Sequence, residues 1–393
     1  MSDDPVVVVG GARTPVGRFG GALKDVEASE LAGVAIAAAL DRAGVAADQV
    51  DEVIMGQVGQ VGGDAYNARR CAIAAGIPVG ATAMNVNRLC ASGLQAILTA
   101  AGQLLLDDAS VIVAGGNESM SRQPFLDYDA RAGWRMGARE LIDGTLSLVT
   151  DPFGHYPMGE TAERVAERYA VTREDQDRFA FESQTRAAHA IAAGHLEVEM
   201  VPVEVPRRDE PVRRDEHPRP DTTLEDLAQM RPAFRPDGSV TAANSSGIND
   251  GAAALVLMRE SEALRRGLTP RLRYLASAVS GIDPDIMGYA PALAIPKALA
   301  KLKLESDQIG IIELNEAFAA QAVAVIRATG LDDAAVNPMG GAIAYGHPVG
   351  ATGAILTVRL MYELERLQQR LGMVTMCIGG GQGIAAIFES LRT

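Results

Sequence analysis

Val86-Asn87-Arg88-Leu89-Cys90-Ala91-Ser92-Gly93-Leu94 leads an apolar run through a polar turn to a cysteine and the start of a helical pattern. In the second half of the chain, Val336-Asn337 opens the same way, ahead of a glycine-rich loop, His347 and another helical pattern. This weak internal repeat predicts two similar halves built by duplication. Around the first copy, strands are expected at 5–10, 53–56, 83–86 and 111–114, with helices at 30–43 (capped by Ser29), 67–75 and 92–106. Around the second copy, strands are expected at 253–258, 271–279, 309–314, 371–378 and 384–389, with helices at 290–302, 317–329 and 350–367. Strands alternating with helices predict an α/β architecture with parallel pairing. Between the copies, from about Glu118 to Thr241, proline, arginine and aspartate become frequent, and helices are expected at 158–169 and 173–193. So long an excursion from a sheet reads as an insertion that covers something.

The 393 residues are enough for two or three domains, and 41 glycines suit an α/β protein with many tight turns. The balance of 36 basic to 50 acidic residues gives a net charge of −14, which repels phosphate backbones and argues against nucleic-acid binding. One local exception is Arg207, Arg208, Arg213, Arg214 and Arg219. It reads either as a solvated, salt-bridged loop or as a patch for one anionic cofactor. Cys71, Cys90 and Cys377 are odd in number and far apart, so neither a disulfide framework nor a zinc site is expected, and the cytoplasm is the natural compartment. The acidic opening 1–5 lacks a signal peptide's features, and no apolar run is long enough to span a membrane.

Cys90 falls between a strand and a helix, where backbone N–H groups and the helix dipole are expected to stabilise a thiolate and lower its pKa. Its small neighbours leave room for a substrate; the plainer reading is a small buried hydrophobe. His347, in Gly346-His347-Pro348-Val349-Gly350, has a fixed backbone suited to a general base. Cys377 ends a strand and opens into Gly379-Gly380-Gly381, whose N–H groups can point at an anion. That loop lacks a Gly-Lys-Ser/Thr ending and precedes a strand, so it is not a phosphate loop. Gly10-Gly11-Ala12-Arg13-Thr14-Pro15 likewise fails the dinucleotide spacing. Asn315, in Asn315-Glu316-Ala317-Phe318-Ala319, reads as a helix cap, or as an amide that holds a water or an oxyanion.

In order and spacing these four motifs resemble the thiolase family. The resemblance spans essentially the whole chain, including Ala12-Arg13-Thr14-Pro15 and Asn244-Ser245-Ser246-Gly247-Ile248-Asn249-Asp250-Gly251. It implies a five-layered α-β-α-β-α fold of two similar halves, each with a five-stranded mixed sheet. The first half would comprise 1–118 and 242–268, the second 269–393, and a coenzyme A-binding loop domain 119–241. It also implies an acyltransferase that cleaves 3-ketoacyl-CoA with coenzyme A, or condenses acetyl-CoA, through an acyl-cysteine. Cys90 would be the nucleophile, His347 its base, and Cys377 the acid/base at the α-carbon. His347 with a water on Asn315 would form one oxyanion hole, and the N–H groups of Cys90 and Gly379 another.

Coenzyme A would meet Arg219, Phe234, Ala242, Ser246, Met158, Met287 and Phe318, with Arg219 at its adenine or phosphate end and Ser246 at a pantetheine amide. The same resemblance implies no permanently bound cofactor, no metal, and a homotetramer built as a dimer of dimers. Two departures stand out. Pro157-Met158-Gly159 replaces a His-Met-Gly common in short-chain thiolases, removing an imidazole donor. Tyr345 replaces a common leucine and is expected to narrow or reshape the acyl pocket. The rival readings are a decarboxylating ketoacyl synthase, against which Cys377 argues, and a non-catalytic acyl-CoA-binding protein.

Overall fold

The computed structural model describes residues 4–392. Nine strands carry the architecture: β1 (Val6–Arg13), β2 (Glu52–Gly56), β3 (Thr82–Val86), β4 (Val111–Ser119), β5 (Asn249–Arg259), β6 (Leu272–Gly281), β7 (Ile311–Leu314), β8 (Leu371–Ile378) and β9 (Gln382–Ser390). The principal helices are α1 (Ala28–Ala43), α2 (Asn67–Ala74), α3 (Ser92–Leu105), α4 (Met158–Arg168), α5 (Arg173–Ala192), α6 (Pro291–Leu302), α7 (Ala319–Thr329) and α8 (Thr352–Leu367). Among the described residues, no helix is long and apolar enough to cross a membrane.

The repeat is visible in the pairing. In the first half the strand order is β3-β2-β4-β5-β1, with β2 parallel to β3 and β4, and β5 antiparallel to both β4 and β1. In the second, β7-β8-β9-β6 reproduces the last four positions with the same directions. The fifth position, matching β3, is a single parallel bridge between Ile312 and Val336. It does not lengthen into a strand because Asn337 adopts φ 46° and Pro338 has no N–H. The Asn337 side chain takes the next rung, accepting from Leu314 N–H and donating to Leu314 O, both at 2.8 Å. The two sheets are also not separate. Val7↔Arg273 and Val8↔Leu272 join β1 to β6 in one continuous sheet.

Period-two alternation builds the layers. Val53, Met55, Val113, Ala254 and Val256 face α1 and α2, while Ile54, Ile112, Leu255 and Leu257 face the opposite way onto α3 and α8. From the second half, Val374, Met376, Ile384 and Phe388 close on the other side of α3 and α8. The far face of that half packs on α6 and α7 through Ile312, Leu314, Met373 and Ile387. The result is helix, sheet, helix, sheet, helix. The central helices touch through glycine: a methyl group on Gly353 would stand 2.4 Å from Leu94 N, and one on Gly93 2.8 Å from Ala354 N. This contact sets the helix after Cys90 beside the helix after His347.

Three local expectations are corrected. Helix α1 starts at Ala28, and its cap is Glu27, whose N–H donates to the Glu30 carboxylate at 3.2 Å; Ser29 is already inside the helix. Helix α7 starts at Ala319, after an extended Phe318, so Asn315 is the residue after β7 and not a helix cap. Finally, β4 and β5 run further than their apolar cores indicate, through Ser119 and from Asn249. Polar residues there are buried because the strands pair to their ends.

Residues 120–248 leave from β4 and return as its neighbour β5. They are fixed to the body by a buried ion cluster. Arg13 on β1 bonds Glu199 at 2.6 Å and Asp215 at 2.7 Å, and Arg359 on α8 reaches Glu199 at 3.2 Å. Removing one partner of a buried set leaves an uncompensated charge. Glu199→Ala is expected to cost about 3–5 kcal/mol, read as a lower urea midpoint.

Candidate active site

The turn that presents Cys90 is strained. Leu89 has φ 47°, a left-handed conformation that a non-glycine residue adopts only when its surroundings enforce it. Here Asn87 Oδ1 accepts the Leu89 N–H at 3.0 Å, and Ser92 Oγ accepts Arg88 N–H at 2.9 Å while donating to Leu89 O at 2.6 Å. Cys90 emerges from this turn half-buried, just before α3. The N–H of Gly379 reaches its sulfur, as does its own.

The expectation of a lowered Cys90 pKa is overturned. Burial pushes the thiol up and the nearby Glu118 carboxyl adds to it, outweighing the two N–H donors. His347 is displaced the other way, down to about 4, because burial disfavours imidazolium. The resting pair is therefore neutral thiol and neutral imidazole.

The imidazole is oriented by its own loop. Nδ1 lies 2.6 Å from Thr352 Oγ1, whose single hydroxyl proton goes to Pro348 O at 3.0 Å. Thr352 must then accept, which assigns the proton to Nδ1 and leaves Nε2 with its lone pair. Asn315 Nδ2 faces Nε2 at 3.4 Å, and Asn315 Oδ1 is buried without a protein partner. An unpartnered buried amide oxygen is where a water is held. Gly346, at φ 97°, lies against Asn249, whose Oδ1 accepts the His347 N–H at 2.9 Å and whose Nδ2 donates to Gly17 O at the same distance.

Cys377 is fully buried near the end of β8, opposite Gly383 on β9. Burial pushes its thiol up, and the neighbouring Cys90 adds to the shift. Gly380 and Gly381 then turn the chain at φ 75° and 82°.

Six of the seven positions proposed for coenzyme A fall into two groups. Arg219 and Ala242 line a cavity of about 420 Å³ together with Gln184, His217, Asp226 and Ile343. Met158, Phe234, Met287 and Phe318 share one apolar cluster with Cys377, Phe234 meeting Phe318 edge-to-face at 6.1 Å. Ser246 belongs to neither; its N–H bonds Ala317 O, next to Phe318, at 2.9 Å. Of the five arginines, only Arg219 lines the cavity; Arg207, Arg208, Arg213 and Arg214 are exposed elsewhere. Tyr345 departs from expectation. Its ring lies 4.3 Å from the Arg359 guanidinium and its hydroxyl donates to Met339 O at 2.7 Å, so its bulk is taken up in the buried ion cluster.

Three residues had no assigned role in the sequence: Asn249, Thr352 and Glu118. Asn249 stood inside a quoted motif and Thr352 five residues after His347, so spacing could have found them. Glu118 could not be found that way. It accepts N–H bonds from Val58 (2.9 Å), Gly59 (3.1 Å) and Gly350 (3.0 Å), and ties the His347 loop to the first half beside Cys90. Burial raises its pKa to about 7.

Loss of an aimed donor that acts on developing charge costs about 10²–10³ in rate. Asn315→Ala is expected to lower kcat of acyl transfer by that factor with KM little changed, as steady-state kinetics would show.

The chain matches two family models, "Thiolase, N-terminal domain" over residues 6–261 and "Thiolase, C-terminal domain" over 268–390. It is 50% identical to beta-ketothiolase BktB of Cupriavidus necator over 98% of this chain and 99% of that protein. It is 48% identical to an acetyl-CoA acetyltransferase of Pseudomonas aeruginosa, over 97% and 98%. Among solved structures it is similar to the Bacillus anthracis acetyl-CoA acetyltransferase, with a TM-score of 0.97 at 45% identity over 99% of both chains. It is also similar to human mitochondrial 3-ketoacyl-CoA thiolase in complex with CoA, with a TM-score of 0.95 at 41% identity over 98% of both.

Proposed function

This chain belongs to the thiolase family, and from that premise we propose how its own residues divide the chemistry. The enzyme is an acyltransferase that reversibly cleaves 3-ketoacyl-CoA with coenzyme A, or condenses two acetyl-CoA. In cleavage, Cys90 Sγ adds to the 3-keto carbon as its proton passes to His347 Nε2. The oxyanion is met by the N–H groups of Cys90 and Gly379. Its collapse forms the acyl-cysteine and breaks the C2–C3 bond, and the enolate of acetyl-CoA takes its proton from Cys377. The enolate oxygen is stabilised by His347 and a water on Asn315. The proton on His347 returns to the Cys377 thiolate. Coenzyme A then attacks the Cys90 thioester, giving its thiol proton to the freed His347, which passes it to the departing Cys90 thiolate as the shortened acyl-CoA leaves. Condensation reverses these steps.

The observation that carries this reading is the meeting of Gly379 N–H and Cys377 at Cys90, with His347 Nδ1 on Thr352 and its Nε2 facing Asn315. Coenzyme A is proposed to enter over Arg219 and Ala242, pass Ser246, and extend its pantetheine along Phe234, Phe318, Met287 and Met158. Segment 119–241 is proposed as the loop domain covering it, inserted in a first half of 1–118 and 242–268, with 269–393 as the second. The half-exposed edge strand β3 and the exposed Phe125, Trp134, Met136 and Leu141 support a homotetramer. Fatty-acid or related acyl-CoA metabolism in the cytoplasm is the proposed setting, with coenzyme A and acetyl-CoA as substrates and no resident cofactor.

The test is thiolysis of 3-ketoacyl-CoA by the purified protein, from acetoacetyl-CoA upward, with Cys90→Ala beside it. Cys90-dependent loss of substrate on at least one chain length is the expected result. Its absence on every chain would overturn the reading.

A further inference from the structure

We propose that Phe153 is the specificity-determining wall of the acyl site, closing it so that short 3-ketoacyl chains are preferred. This rests on the acyl-transfer reading of Cys90 above. Gly379 N–H reaches Cys90, so the Gly379–Gly380 turn borders the thiol, and an acyl chain on Cys90 would run along its outer face. Three side chains stand on that face. A methyl group placed on Gly379 would lie 3.2 Å from Met158 Cε and 3.5 Å from Leu89 Cδ1; one on Gly380 would lie 3.8 Å from Phe153 Cε2. Leu89 precedes Cys90, Met158 stands with Leu89 against Gly379, and Phe153 meets the turn one residue further along.

Phe153 is held in place from two sides. Asp151 Oδ1 accepts the N–H groups of Phe153 (2.9 Å) and Gly154 (2.7 Å), and the loop closes through Asp151 N–H to Tyr156 O and Met158 N–H to Val149 O, both 2.8 Å. Across the turn, the Tyr156 hydroxyl donates to Asp285 while Arg164 bonds Asp285 at 2.5 Å and lies 4.3 Å from the Tyr156 ring. This latch ties the Phe153 loop to the 283–287 segment, whose neighbour Ile282 donates to Gly381 O at 2.7 Å. Yet Phe153 is 69% exposed. An aromatic side chain on a backbone so held, open beside the turn that borders Cys90, is apolar surface for an apolar chain end, and a limit on that chain's length.

Each methylene gained or refused in an apolar pocket is worth roughly 10–200-fold in kcat/KM. The experiment measures kcat/KM for acetoacetyl-CoA and for 3-ketooctanoyl-CoA in wild type, Phe153→Ala, Phe153→Leu and Asp285→Ala. Wild type is expected to favour acetoacetyl-CoA. Phe153→Ala is expected to shift the ratio toward the eight-carbon substrate about tenfold or more, with Phe153→Leu intermediate. Asp285→Ala, which releases the latch from a distance, is expected to shift it in the same direction. A ratio within threefold of wild type in both Phe153→Ala and Asp285→Ala would overturn the proposal, whatever happens to the absolute rates. Activity absent in wild type would instead defeat the acyl-transfer reading, so the two failures are distinct.

Discussion

Cys90→Ala is expected to abolish thiolysis, lowering kcat by roughly 10⁶-fold, as removal of a covalent nucleophile does elsewhere. The loss should fall on kcat, because Arg219 and Ala242, proposed to hold coenzyme A, line a cavity that does not include Cys90. Coenzyme A binding, followed by calorimetry, should therefore persist in the variant. The neutral resting state adds a second expectation. With burial raising the Cys90 thiol, alkylation by iodoacetamide should be slow near neutrality and accelerate above pH 9. A fast plateau at pH 7 would mean a preformed thiolate.

His347→Ala should cost about 10²–10⁴ in kcat/KM, the usual share of a positioned general base. Wild-type pH dependence identifies the group. The base works as neutral imidazole, which exists above its pKa; burial places that pKa at about 4 rather than 6.5. Activity should therefore stay nearly level from pH 8 down to about pH 5, where an unperturbed imidazole would already have lost about thirtyfold. A limb centred near pH 6.5 would contradict the burial argument. The same shift enters stability with a defined sign. The folded-state pKa is depressed, so this group's contribution is complete above pH 6.5 and is lost as pH falls toward 4.

Much of this was legible because the chemistry sits where strand, turn and helix meet. Cys90 and His347 lie in small-residue turns and Cys377 ends a strand just ahead of one, and glycine spacing marks such turns in any single sequence. The doubled Val-Asn entry likewise announced two halves whose strand directions agree position by position. What stayed hidden depends on burial, which spacing does not report. Helix-start geometry at Cys90 argued for a low pKa, but desolvation and the Glu118 carboxyl win. Glu118 itself is an ordinary acid in the sequence and a threefold hydrogen-bonded clamp in the fold. Tyr345 was read by size alone, and the guanidinium that receives its ring lies fourteen residues later in α8. Asn315 preceded a helical pattern closely enough to pass for its cap, yet an extended Phe318 intervenes.

Trapping the acyl-enzyme tests the central claim most directly. The protein would be mixed with acetyl-CoA, quenched in acid within the first turnover, and examined by intact and peptide mass spectrometry. The account predicts the mass of one acetyl group, carried by the peptide that contains Cys90 and absent in Cys90→Ala. An acetyl group on Cys377, or none on a protein that still cleaves 3-ketoacyl-CoA, would contradict it.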